Sequence, residues 1–496
     1  MDSALARVRA HVANLPQAGA ETRSTRPGRS CGSPGPVSSV AVSRGGVFTC
    51  LALALAAISL LCTRPSLAAD SKKTDQSITT KRFKEAEKLA EASRNQDCLK
   101  ALNNLIAASP GFAPAYVLRG WQLLILNKPD QAMNDYNRAI KIDPGNVGAY
   151  KARGFLNRQL KHFEQSRLDL EKAARLAPGD AEIDYLHGIT CLLQGLHNLA
   201  IKDFSESIKK APDHPYVASA YYWRGRARQM MEQDREAVAD FSRCMEKDPG
   251  SDMSRSLSYR PPSTLDMLYG TRTKRSKLGL LERGISNNKL GRFDEAEKDF
   301  DAVLAISPDD VLIIEERGNA RMRQGKFAKA ILDFNKAILK GTPSTELYYK
   351  MGVTNFCAGK YRRSAISFDA WFERNGFGEK GSALALLLTW VSHNRLRDTK
   401  AMAALLEKAS SARSNPTTAS VLDLLKGGKG KAASKTDQCL TRLQMALVAG
   451  GKKDAEAQAR SQLDWILKNV SRLSDEYTVA GAERRRLEAP PSRARG

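Results

Sequence analysis

The chain has 496 residues, 42% of them hydrophobic and 7% aromatic, with a formal net charge of +24. That length admits two or three globular domains or one extended repeat array, and abundant Ala, Leu, Lys and Arg with few β-branched runs favour the array. The basic surplus points to acidic partners, anionic polymers or a membrane surface and decides nothing about fold.

Residues 1–46 are rich in Arg, Pro, Gly and Ser with no apolar period, which predicts a disordered N-terminal extension. Val47–Cys62 is uncharged and apolar, follows Arg44, and precedes the small-x-small pattern Ser66-Leu67-Ala68. As a helix it would span roughly 24 Å against the ~30 Å of a hydrocarbon core. Residues 47–69 are therefore expected to be a signal peptide cleaved after Ala68, with a linker at 70–78. The alternative is a membrane anchor formed by residues 47–62. No Met separates Met1 from Met133, and a start at Val40 or Val42 would give a leader of ordinary length. Neither Cys50 nor Cys62 follows the small residue that lipid attachment requires.

A 34-residue period then emerges on Pro110, Pro144, Pro178, Pro212, Pro249 and Pro308, with repeats beginning near 79, 113, 147, 181, 218, 277, 311 and 345. Position eight is small throughout (Ala86, Gly120, Gly154, Gly188, Gly225, Gly284, Gly318, Gly352), and so is position twenty, from Cys98 to Ser364. Position twenty-four is bulky, chiefly Phe204, Phe241, Phe300, Phe334 and Phe368. Two helices approach closely only where small residues face each other, and a large side chain is expected to fill the gap toward the neighbouring repeat. Pro at position thirty-two stops the second helix, and Gly195, Gly291, Gly325 and Gly359 mark the turn at position fifteen. Between the fifth and sixth repeats, residues 252–276 are extra, contain Pro261-Pro262, and read as a surface loop.

In these positions the chain resembles the tetratricopeptide (TPR) family. The resemblance implies an all-α, right-handed solenoid of about eight helix-turn-helix repeats over residues 79–378, with a degenerate helical cap and tail at 379–496. The hairpins after 378 resemble the C-terminal part of exported bacterial TPR proteins, which include envelope adaptors for cell-wall enzymes. The second helices depart from the family at position twenty-seven, where Leu105, Val303 and Trp371 replace a small residue.

Nothing in the pattern builds an active site. The eight Cys show no C-x-x-C pair, the six His no ligand spacing, and Gly427-Gly-Lys-Gly-Lys431 lacks the Ser or Thr of a phosphate loop. No catalytic residue, metal, cofactor or small-molecule substrate is expected. Cys98, Cys191 and Cys244 fall on packing positions. Position seven is Arg119, Arg153, Arg224, Arg283 and Arg317, with His187 in the fourth repeat, while position twenty-three is Asp in repeats two to seven. One pair per repeat predicts a structural ladder, each exposed pair contributing about 0–1 kcal/mol.

The TPR resemblance places positions two, five, nine, twelve and thirteen of the first helix on a concave face that holds partner peptides or helices. Here these positions give Trp121, Lys151, Phe155, Arg158, Tyr185, Tyr222, Arg226, Lys289, Arg323, Tyr349 and Phe356, an aromatic row mixed with cations. The family's carboxylate clamp, Lys then Asn at positions five and nine, is absent, because Lys151 is followed by Phe155 and Asn319 is preceded by Glu315. The expectation is a non-enzymatic adaptor of the cell envelope, periplasmic or secreted, that binds other proteins. The alternative is a basic scaffold for an anionic polymer, either nucleic acid or cell-wall material, and a cytosolic scaffold is a further one.

Overall fold

The computed structural model describes residues 66–488 except 93, 215, 248–271, 342–343, 380, 411–414, 427–434, 449–452 and 473. The expected disordered extension, the apolar segment 47–62, most of the 252–276 insertion and the last eight residues lie outside the described residues. Among the described residues there are twenty-two helices and no strand. In chain order they are α1 (Ser66–Glu91), α2 (Asn95–Ala108), α3 (Ala113–Ile125), α4 (Pro129–Ile142), α5 (Val147–Gln159), α6 (Phe163–Leu176), α7 (Ala181–Leu193) and α8 (His197–Lys210). Then follow α9 (Val217–Met230), α10 (Asp234–Lys247), α11 (Arg272–Lys289), α12 (Phe293–Ile306), α13 (Val311–Arg323), α14 (Phe327–Lys340), α15 (Thr345–Cys357) and α16 (Tyr361–Asn375). The last six are α17 (Ser382–Arg395), α18 (Thr399–Ala409), α19 (Pro416–Leu425), α20 (Lys435–Val448), α21 (Lys453–Asn469) and α22 (Asp475–Glu488). No described helix is long and apolar enough to cross a membrane.

Two compact units divide the chain between Gln122 and Leu123. In the first, Ala86, Cys98, Leu102, Leu105 and Ala115 form the core, and Phe83 meets Phe112 edge-on at 5.4 Å. The Cys98 thiol donates to the Ala86 carbonyl at 3.3 Å, and burial pushes its pKa up to about 11. It is a packing group, as its repeat position implied.

Two boundaries differ from the sequence reading. Residues 70–78 are not a linker but part of α1, because 66–91 contains neither Gly nor Pro to interrupt the hydrogen-bond ladder. The sixth repeat opens at Arg272, so the last five residues of the expected 252–276 loop are helical. At the far end α17 and α18 form a ninth hairpin, and Arg397 turns it with φ 56°.

The second unit shows why the consensus residues are what they are. A Cβ on Gly225 would lie 2.8 Å from the Phe241 ring, and one on Gly318 would lie 2.5 Å from Phe334, closer than van der Waals contact allows. The position-twenty-four ring thus packs on position eight of its own hairpin, within a core that runs on from repeat to repeat. Each of Phe204, Phe241, Phe300, Phe334 and Phe368 is fully buried. At position fifteen the backbone is left-handed, and besides glycine it holds Asn127, Lys161 and Glu232 at φ 56°, 62° and 58°. Second helices end two residues before their Pro, as α8 does at Lys210 before Pro212.

The ladder is present. Arg153, Arg224, Arg283 and Arg317 each donate through Nε and Nη2 to both carboxylate oxygens of Asp169, Asp240, Asp299 and Asp333, at 2.6–3.1 Å. The remaining Nη1 reaches position twenty-five of the preceding repeat: Asn137 at 2.8 Å, Ser205 at 3.0 Å, Ser242 at 3.1 Å and Asp301 at 2.6 Å. One expectation is corrected. The four aspartates are buried, not exposed, so the weak surface-pair value does not apply to them.

Candidate functional site

The expected binding residues sit on the first helices of successive hairpins, but most are already engaged. Tyr185 is fully buried, stacked on Tyr216 at 5.0 Å with its edge toward Phe204 at 6.0 Å. Tyr222 is buried against Phe241, and Phe155 is buried with the Arg158 guanidinium 5.1 Å above its ring. Phe356 is fully buried beside Tyr361. Trp121 lies half-buried in the first compact unit. The aromatic row is therefore mostly core between hairpins, because a first helix touches both its own partner helix and the next repeat.

The cations are paired within the chain. Lys151 holds Asp180 at 3.0 Å and also Glu182, both at the start of the next repeat. Burial pulls the Lys151 ammonium down, but those two carboxylates more than offset it and hold it above its ordinary value. Arg226 pairs with Glu282, and Lys289 lies 3.8 Å from Asp234. In the eighth repeat Lys350 sits between Glu315 at 3.4 Å and Glu346 at 3.3 Å. Lys151, Arg226 and Lys350 thus stitch consecutive first helices together, and Lys289 reaches the second helix of the repeat before it.

What remains open was not legible as a site. Leu160, Leu193, Leu196 and Met231 are 39%, 54%, 43% and 37% exposed, at positions thirteen to sixteen of repeats three to five. They line the ends of α5, α7 and α9 and the turns that follow. The signal was there: at these positions, where the turn calls for Gly or polar residues, large apolar side chains recur. In repeats seven to nine position thirteen is covered, although Leu396 at position fourteen of the ninth hairpin is 40% exposed. Arg323 pairs with Asp475 of α22 at 2.8 Å, and Tyr349 lies against Phe368 and Trp371.

One side-chain cluster has the elements of a metal site. His187, Cys191 and Asp203 bring nitrogen, sulfur and oxygen within 4.8 Å of one another. His187 Nδ1, however, is already 2.7 Å from Asp203 Oδ2, and burial, with Asp203 adding to it, pushes the Cys191 thiol up to about 12. His187 stands where other repeats carry the ladder arginine, with its Nδ1 engaged by the position-twenty-three carboxylate as a rung requires. The cluster reads as a variant rung.

Tetratricopeptide-repeat family models match residues 113–146, 219–251 and 281–346. The chain is a tetratricopeptide-repeat protein. Among solved structures, a tetratricopeptide-repeat protein from Parabacteroides merdae is 19% identical, covering 56% of this chain and 98% of its own, with a TM-score of 0.35. YrrB, described as a TPR protein with an unusual peptide-binding site, is 17% identical over 43% of this chain and 96% of its own, TM-score 0.35. MamA from Desulfovibrio magneticus is 16% identical over 35% and 97%, TM-score 0.32. No curated protein matches this chain in sequence. TPR hairpins are protein-interaction scaffolds, and that is the general function of this TPR chain.

Proposed function

We propose that this TPR protein is an exported scaffold of the cell envelope that seats an apolar helix or peptide of a partner protein along the first-helix ends of repeats three to five. The observation that carries the reading is the row Leu160, Leu193, Leu196 and Met231, left open where the neighbouring aromatics are buried and the cations paired. Export is supported by the apolar run Val47–Cys62 followed by Ser66-Leu67-Ala68. The pairing of Lys151, Arg226 and Lys289 with carboxylates argues against an anionic polymer on the same face.

The variant that tests this is Leu193→Ser, Leu196→Ser, Met231→Ser in the full chain, because replacing Phe155, Tyr185 and Tyr222 would open the core. Partner recovery from an envelope fraction is expected to fall at least tenfold with the circular dichroism unchanged. Undiminished recovery by the folded variant rejects the site, and a steep loss of wild-type binding with salt would favour the anionic polymer. Mass spectrometry of the native N-terminus, expected at Ala69, checks export.

A further inference from the structure

The C-terminal helix α22 runs back over three hairpins that precede it by about a hundred residues. Position thirteen is Arg323 in the seventh repeat, Cys357 in the eighth and Arg395 in the ninth hairpin, and all three meet α22. Arg323 pairs with Asp475 at 2.8 Å and donates to Thr478 Oγ1 at 2.9 Å. Arg395 holds both oxygens of Glu483, at 3.1 and 2.8 Å. From α22, Arg486 donates to the last carbonyls of α15, Phe356 at 2.8 Å and Cys357 at 2.6 Å, and to the Tyr361 hydroxyl at 2.9 Å. Arg485 lies over the Phe327 ring.

Toward these hairpins α22 makes contacts of the kind a ligand makes in a groove, while its other side packs on α21, where Arg484 pairs with Asp464 at 2.8 Å. Asp475, Thr478, Glu483 and Arg486 recur at helical spacing and make charge-assisted hydrogen bonds, while the buried apolar groups of α22 are only Val479, Ala480 and Ala482. Beneath the helix, burial, with Asp475 and Glu476 beside it, pushes the Tyr349 hydroxyl well above its ordinary value. Cys357 itself is 5% exposed, and Arg486 of α22 sits on its carbonyl, so α22 lies directly beside that residue. The same row is open in the fourth repeat, where position thirteen is Leu193.

We propose that the position-thirteen row of repeats seven to nine is a second helix-binding groove, that α22 is its built-in ligand, and that its external partner is a helix of the same chemistry. Such a helix opens on an acidic residue for Arg323, carries small apolar residues in its middle, and presents a second carboxylate about two turns on for Arg395. It binds by displacing α22. This site is separate from the apolar row of repeats three to five and uses ion pairs where that row uses leucines, so the two stand or fall apart.

The test uses the full chain and the thiol of Cys357. Charge reversal by Asp475→Lys with Glu483→Lys sets two ammoniums against Arg323 and Arg395. Alkylation of Cys357 by iodoacetamide, mapped by mass spectrometry, is expected to speed up at least tenfold, with buried Cys191 unchanged as the control for folding. A synthetic peptide of residues 474–488 should then restore protection of Cys357, and the same peptide with both lysines should not. Persistent protection in the charge-reversal variant, or failure of the peptide to restore it, would each make α22 a fixed brace and overturn the proposal. Restoration by raising protein concentration alone would assign the groove to a second copy and overturn the external partner.

Discussion

Asp240 offers the sharpest test of how these hairpins are held together. Its side chain is 2% exposed and accepts from Arg224 Nε at 3.0 Å, Arg224 Nη2 at 2.7 Å and Arg228 Nη1 at 2.7 Å. Asp240→Ala strands two guanidiniums in a buried site, and breaking such a pair costs about 3–5 kcal/mol. The low end is expected, because Arg224 keeps its bond to Ser205 Oγ. Asp203 is the comparison: it meets only His187 and Cys191 of α7, at 14% side-chain exposure, and Asp203→Ala should cost about 1 kcal/mol, the net value of one hydrogen bond. A repeat array need not unfold in one step, so the assay is native-state hydrogen exchange read hairpin by hairpin. The difference of about 2 kcal/mol corresponds to roughly a thirtyfold larger loss of protection in α9 and α10 for Asp240→Ala than in α7 and α8 for Asp203→Ala. Equal losses in the two hairpins would show that the ladder is worth no more than surface pairing and refute the burial argument.

Three further outcomes follow from single residues. Glu232→Gly relieves a left-handed residue at the turn after α9 and should stabilise that hairpin by about 1 kcal/mol, seen as a raised exchange barrier in α9 and α10. Gly225→Ala should cost about 1–3 kcal/mol because its Cβ meets Phe241, and adding Phe241→Leu should recover part of it, as the natural Ala86–Leu102 pairing of the first repeat suggests; no recovery would mean the strain lies elsewhere. Burial raises the Glu297 pKa, but Lys326 and Arg321 outweigh it and lower it from 4.5 to about 2. Its contribution is therefore present above pH 4.5 and lost as the pH falls toward 2, and Glu297→Gln should flatten the acid-induced loosening of α12 and α13 over that window.

The repeat was legible because its constraints are local in each copy. A glycine that must clear a ring sixteen residues later, and a proline that ends a helix, leave the same mark at every period. The Arg–Asp pairs were legible for the same reason, though their burial was not, since it depends on the preceding repeat closing over them. The binding face was read less well. Position rules say which way Tyr185 or Lys151 points, but not that Tyr216 stacks on one and Glu182 neutralises the other. The return of α22 was hidden by distance: Arg323 and Thr478 are 155 residues apart. A local clue did exist, in Asp475 and Glu476 opening the segment and Arg485 and Arg486 closing it, the charge order a helix dipole favours.

The backward reach of the ladder arginines has a mechanical side. Arg153, Arg224, Arg283 and Arg317 each grip their own hairpin with two bonds and the one before with a third, so tension along the chain is passed from hairpin to hairpin through these guanidiniums. The eighth repeat has Met351 at that position and Ser367 opposite, and carries no such stitch. The seam between the seventh and eighth repeats is held instead by Lys350 on Glu315 and by α22, which grips Arg323 on one side and the Phe356 and Cys357 carbonyls on the other. A chain pulled from its two ends would open that seam only once α22 lets go.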